Sequence, residues 1–190
     1  MKDLAPLFRI DRIRNWKATK EQAWRDAEDY YEQILKEMKK TLVHLVYLCA
    51  PLKPTKEKLI QDHVAQAIKA ASQILGTEYN GKRIILFIPH LHVFSIYNEI
   101  VYPMVRERAI KFNDRLIQKY FHTLIIIGER ISGGMASEIK QARKNGTEIV
   151  KMKDFKKQLK NLPDAEKAKE NYQRMVRLHN KIHGSDFSIK

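Results

Sequence analysis

Four short apolar runs recur along this chain with an amphipathic stretch between each pair, and that alternation limits the fold more than any other feature. The runs lie near residues 43–48, 84–88, 123–128 and 147–151, the first stopped at Pro51 and the second at Pro89. They are mostly apolar throughout rather than strictly alternating, the pattern of strands buried on both faces. Between the first two, Ile60, Val64, Ala67, Ile68, Ala71, Ile74 and Leu75 hold one helical face, opened by Pro54-Thr55 and ended by Gly76. Asn80-Gly81 is a turn signal. Val105, Ala109, Phe112, Leu116 and Tyr120 line a helix over 104–120, and a helix over 134–144 closes at Asn145-Gly146. Strand and helix in regular alternation predict an α/β fold. The expected form is a Rossmann-like or flavodoxin-like parallel sheet of four to five strands, with right-handed crossovers and helices on both faces.

The two ends read differently. Thr19-Lys20-Glu21-Gln22 has the spacing of a capping box, and Trp24, Ala27, Tyr31, Ile34, Leu35 and Met38 continue at helical spacing. A helix over 19–40 follows, packed on the α/β domain or on a second subunit. Pro163-Asp164 opens a tail helix running to about residue 182. The division is thus an N-terminal helical extension (1–41), an α/β domain (42–152) and a basic helical extension (153–190). The helices at 19–40 and 104–120 carry more aromatic and aliphatic residues than a four-stranded domain readily buries, which predicts a homodimer or larger homo-oligomer.

Charge and cysteine content narrow the setting. The net charge is +14, and residues 151–190 carry 11 basic against 5 acidic groups. Such a balance suits anionic partners, including nucleic acid through the tail, but no aromatic-basic interleaving or known binding module accompanies it. The single cysteine, Cys49, excludes an internal disulfide, and the apolar runs are far short of a membrane span. The charged N-terminus lacks the apolar core of a secretory signal, so the expectation is an intracellular, cytoplasmic protein with no membrane partner.

In an open parallel sheet, ligands bind beyond the carboxyl ends of the strands. That edge would gather Tyr47, Cys49 and Pro51 after the first strand, and His90 and His92 after the second. After the third come Gly128, Glu129, Arg130, Ser132, Gly133 and Gly134, with Glu138 one turn into the helix. Each has a plainer reading. Glu138 can complement a helix dipole, Ser132 can cap the helix, and Tyr47 can be a core aromatic. The His90/His92 spacing lacks a matching third ligand, so no metal is expected. Cys49, with no basic neighbour in sequence, reads as a small buried residue. No G-x-G-x-x-G fingerprint follows the first strand.

Residues 43–151 resemble the nucleoside 2-deoxyribosyltransferase-like superfamily, which includes deoxynucleoside 5'-monophosphate N-glycosidases and many uncharacterised bacterial and phage members. The likeness runs through "VYLCAP", "PHLHVF", "NDRLIQKY" and above all "IIIGERISGGMASEIKQARKNGTEIV", which is similar to the family's S-x-G-x-x-x-E motif. The resemblance implies cleavage or transfer at an N-glycosidic bond of a nucleoside or its 5'-monophosphate, without a cofactor. It implies that Glu138 is the nucleophile, that Tyr47 positions it, and that Asp114 bonds or protonates the base. Ser132, Gly133 and Gly134 would face the phosphate or 5'-hydroxyl end, with Gly128, Arg130, Pro51 and His90 nearby. Two departures stand out: His122 where many relatives have Asp, and a first loop, "CAPLKP", with two prolines. A nucleotide-binding module of the same fold that does not cleave, and a basic nucleic-acid or protein interaction protein, are the competing readings.

Overall fold

The computed structural model describes residues 20–51, 57–89, 91–92 and 106–183. In chain order the elements are α1 (Lys20–Lys39), β1 (Val43–Cys49), α2 (Glu57–Ser72), β2 (Glu78–Tyr79), β3 (Lys82–Phe87), α3 (Arg106–Lys119), β4 (Thr123–Ile126), α4 (Gly133–Lys144), β5 (Glu148–Lys151), α5 (Met152–Lys156) and α6 (Ala165–His183). The expected capping box at Thr19 and the helix start at Pro54-Thr55 lie outside the described residues.

The strands form one five-stranded sheet in the order β2-β3-β1-β4-β5. β1 pairs in parallel with β3 on one side and β4 on the other, and β4 pairs in parallel with β5. The all-parallel expectation needs correction at one edge, because β2 is antiparallel to β3 and the sheet is mixed. The Asn80-Gly81 turn explains it. Both residues have positive φ (50° and 74°), the requirement of a tight hairpin whose twist matches its strands. Two residues of strand are too few to show a period, so β2 was not legible in sequence.

Alternate residues of each strand supply opposite cores, as a strand's two-residue period requires. Val46, Leu48, Ile84, Leu86 and Ile125 join α2, Phe155 of α5, and Met175 and Val176 of α6. Leu45, Tyr47, Cys49, Phe87 and Leu124 join Tyr31 and Leu35 of α1, Phe112 and Leu116 of α3, and Met135 and Ile139 of α4. The helical extensions are therefore part of the two layers that cover the sheet. α1 is also held to α3 by charge: the buried Glu28 accepts from Arg108 Nε (2.6 Å) and Arg115 Nη2 (3.0 Å). The expected surplus of apolar surface on α1 and α3 is not seen. The large exposed apolar side chains among the described residues are Leu42, Ile131 and Leu162, none of them on those helices. No helix among the described residues is long and apolar enough to cross a membrane.

Three histidines are built into this scaffold in neutral form. His92 is fully buried, stacks on Phe87 (4.7 Å between centroids), and has Nδ1 2.8 Å from the Ile88 backbone; burial pushes its pKa down to about 3. His44 stacks on His122 (5.1 Å), and burial, with the neighbouring His122 and Lys82, lowers it to about 4. His122 is lowered too, chiefly by burial, and its Nδ1 accepts the Leu45 N–H at 2.9 Å. His122 precedes β4 at the amino ends of the strands. It fills a structural position there, remote in the fold from the carboxyl edge where a site is expected.

A folded pKa below the unfolded value of about 6.5 means that the unfolded chain binds protons the folded chain excludes. The stability from each histidine is complete above pH 6.5 and falls as pH drops toward 4, by at most about 1.4 kcal/mol per unit for a buried group. Glu138, whose pKa is raised to about 7, and Asp114, also raised, have the opposite sign and offset part of this fall. Denaturant midpoints should therefore fall between pH 6.5 and 4, and His92→Gln should flatten the decline. A decline equally steep in that variant would show that His92 does not contribute.

Candidate active site

β1 lies between β3 and β4, so the chain leaving β1 crosses toward one side of the sheet and the chain leaving β4 toward the other. Their carboxyl ends thus meet at the point where the strand order reverses, the usual ligand position in such sheets. The ends are laced together by Ile127 N–H donating to Cys49 O at 2.9 Å. Tyr47 and Cys49, two apart on β1, point to the α1/α3/α4 face.

Glu138 sits on α4 above them. Its Oε1 accepts from the Tyr47 hydroxyl at 2.7 Å, and the Cys49 thiol lies within bonding reach of the same carboxyl. Burial raises the Glu138 pKa to about 7, against the pull of the Tyr47 and Cys49 donors, and the charge of Asp114 adds to the rise. Burial likewise lifts the Tyr47 phenol and the Cys49 thiol, and Glu138 adds to both. Cys49 is therefore a neutral donor here and no thiolate nucleophile.

Asp114 reaches the same place from α3. Its Oδ2 accepts from Ser137 Oγ at 3.1 Å, while Oδ1 is buried without a hydrogen-bond partner. Burial raises its pKa, and the Ser137 and Gln141 side chains and Lys144 pull it back. Asn113, buried beside it in sequence, also has Oδ1 unpartnered. Arg106 opens α3, and its charge acts to lower Glu138. Arg106, Asn113 and Asp114, spaced seven and eight residues along one helix, share a stripe of α3.

The remaining expected residues fall into three groups. Ser132 is the N-cap of α4, with its hydroxyl oxygen accepting from Met135 N at 3.3 Å; Gly133 and Gly134 form the helix's first turn. The capping reading of Ser132 is thus met, and its hydroxyl proton is left to donate elsewhere. Gly128 and Arg130 are exposed in the loop between β4 and α4. Gly128 has φ of +84° with no close obstruction at its Cβ position, so it is the left-handed backbone that favours glycine, rather than lack of space. Pro51 is half-buried just past β1. His90 lies outside the described residues, so the His90/His92 pair cannot be placed as a unit.

The structure brings together Glu138, Tyr47 and Asp114, which the resemblance had grouped, and sets beside them Ser137, Asn113 and Arg106, which were not among the expected residues. The helical stripe of α3 was a usable signal for the last two. Ser137 had none, since a serine in a helix middle has no distinctive pattern. Chemically, the arrangement couples two carboxyl groups of raised pKa, one held by a phenol and a thiol, at an edge lined by a capped helix N-terminus. That is a set able to provide an anionic nucleophile and a proton donor at one centre.

Neither the comparison with curated proteins nor that with solved structures returns a match. A family model does match, over residues 44–152, described as Domain of unknown function (DUF7768). The matched span holds Tyr47, Asp114, Ser132 and Glu138 and more than half of the chain, which therefore belongs to the DUF7768 family.

Proposed function

We propose that this protein cleaves or transfers at the N-glycosidic bond of a (deoxy)nucleoside or its 5'-monophosphate, with Glu138 as nucleophile. The observation that carries the reading is the Tyr47–Glu138 hydrogen bond of 2.7 Å with Asp114 beside it, near the adjoining carboxyl ends of β1 and β4. A carboxylate suits an oxocarbenium-like transition state, because it stabilises the developing cation and then traps the sugar as an ester. Tyr47 and Cys49 hold Glu138 in one orientation, and Arg106 favours its ionised form. Asp114, with raised pKa, supplies a proton to the departing base. The unpartnered Asp114 Oδ1 is the oxygen from which that proton would be given, and the unpartnered Oδ1 of Asn113 would be satisfied by an N–H group of a nucleobase. Ser132 and the first N–H groups of α4 suit the phosphate or 5'-hydroxyl end.

The test is incubation with nucleosides, deoxynucleosides and their 5'-monophosphates, with and without an acceptor base, following free and exchanged base by chromatography. Base release from at least one member is expected. Tight nucleotide binding with no base released from any member would sink the catalytic reading and leave a nucleotide-binding module.

A further inference from the structure

We propose that the β5 edge of the sheet, with the helix flanks on either side of it, is a sequence-independent binding surface for the phosphate backbone of nucleic acid. The sequence places the excess charge in the tail, but the fold concentrates it elsewhere. Residues 140–160 contain 8 basic and 2 acidic groups. They span the end of α4, β5 and α5, and β5 is the terminal strand of the sheet. Lys140, Arg143, Lys151, Lys153 and Lys157 are all exposed, while Lys160, also exposed, pairs through its backbone with Glu78 of β2 and lies off this edge. Of these, Lys157 pairs with Asp154 (2.9 Å), and the others form no ion pair among the described residues.

The packing of α4 puts its cations at that edge. Ser137 and Gln141 meet α3 through Asp114 and Gln118, and Met135, Ile139 and Ala142 pack into the core beneath. Arg143 stands on the flank opposite the one that meets α3, and Lys140 on the solvent-facing crest between the two flanks. Lys151 closes the strand, Lys153 continues on α5, and Lys157 caps the end of that helix, which packs on the opposite face of the sheet. Positive charge thus wraps the edge from both sides.

The character of the surface selects the partner. The apolar residues of the same segment are taken up by the cores: Phe155 is fully buried, and Ile149, Val150, Met152 and Leu159 pack against the clusters. A protein partner needs an apolar centre, which this surface lacks, whereas a phosphate backbone needs only cations. A flat anionic membrane would meet only the crest of a charge distribution that wraps an edge, while a nucleic-acid strand can be gripped from both flanks. No exposed aromatic accompanies the cations on this segment, so readout of bases is not expected.

The test is fluorescence anisotropy with labelled single strands and duplexes of unrelated sequences. Binding should be indifferent to sequence and weaken roughly 40-fold between about 50 and 200 mM salt, the change for about three neutralised phosphates. Combined Arg143→Glu, Lys151→Glu and Lys153→Glu substitution should weaken binding by at least about tenfold and flatten the salt dependence. An equal charge change on α6, Lys169→Glu with Arg177→Glu and Lys181→Glu, should leave affinity nearly intact. Circular dichroism should show both variants folded, since all six side chains are exposed. Equal losses in the two variants, no binding at low salt, a marked sequence preference, or tighter and equally charge-sensitive binding to anionic vesicles would each overturn the proposal. Because no turnover is measured, its failure is separate from that of the glycosidic-bond reading.

Discussion

Glu138→Gln should abolish base release while leaving a protein that is folded and, above neutral pH, more stable than the wild type. The amide is close in shape to the carboxyl and still accepts from Tyr47, so the packing of α4 on β1 is retained. It neither bonds covalently to the anomeric carbon nor stabilises a cation, and kcat should fall by several orders of magnitude. The stability change follows from linkage. The Glu138 pKa is raised to about 7 from an ordinary value of 4.5, so ionising it in the folded state costs stability as pH rises through that window. Once pH exceeds 7 the cost approaches roughly 3 kcal/mol, and the neutral Gln does not incur it. With Glu138 as the proposed nucleophile, the same shift predicts wild-type activity rising with pH to a plateau above about 7, where the carboxyl is ionised. Tyr47→Phe removes a donor to the carboxylate, so its acid limb should move to higher pH. Undiminished activity in Glu138→Gln, measured as base release over time, would remove the mechanism. Stability that is unchanged at pH 8 would show that Glu138 is not held at a cost.

Asp114→Asn should lower kcat by about 10²–10⁴, the usual contribution of a positioned general acid. The loss should depend on the leaving group. A substrate whose base departs readily without protonation should lose far less than a natural nucleoside. If Asp114 served only to hold α4 through Ser137, all substrates would suffer alike. Parallel measurement of the variant's denaturant midpoint separates that outcome from simple unfolding.

How much of this was open to the sequence depends on the range of the interactions involved. The parallel strands and the long helices were legible because burial on two faces writes apolar runs, and burial on one writes a 3.6-residue period. Glu138 was legible through local spacing, since a turn, a cap and a helix sit within one short stretch of chain. The β2 edge was not, because a two-residue strand has no period and exists only through its pairing with β3. Nor was the docking of α1, which its apolar stripe suits equally to a partner subunit. Only the assembled chain buries Tyr31 and Leu35 of α1 against the sheet and sets Arg108 and Arg115 against Glu28.

The site divides the same way. The residue types and their places on strand ends and helix turns were fixed along the chain, one element at a time. The Tyr47–Glu138 bond spans 91 residues, and the Asp114–Ser137 bond joins two helices. The raised pKa of Glu138 comes mainly from burial between those elements, a property no single segment carries. The basic segment shows the contrast once more. Its charge was countable from sequence, but its wrapping of one sheet edge follows from the side of α4 that α3 occupies and the face of the sheet that α5 covers.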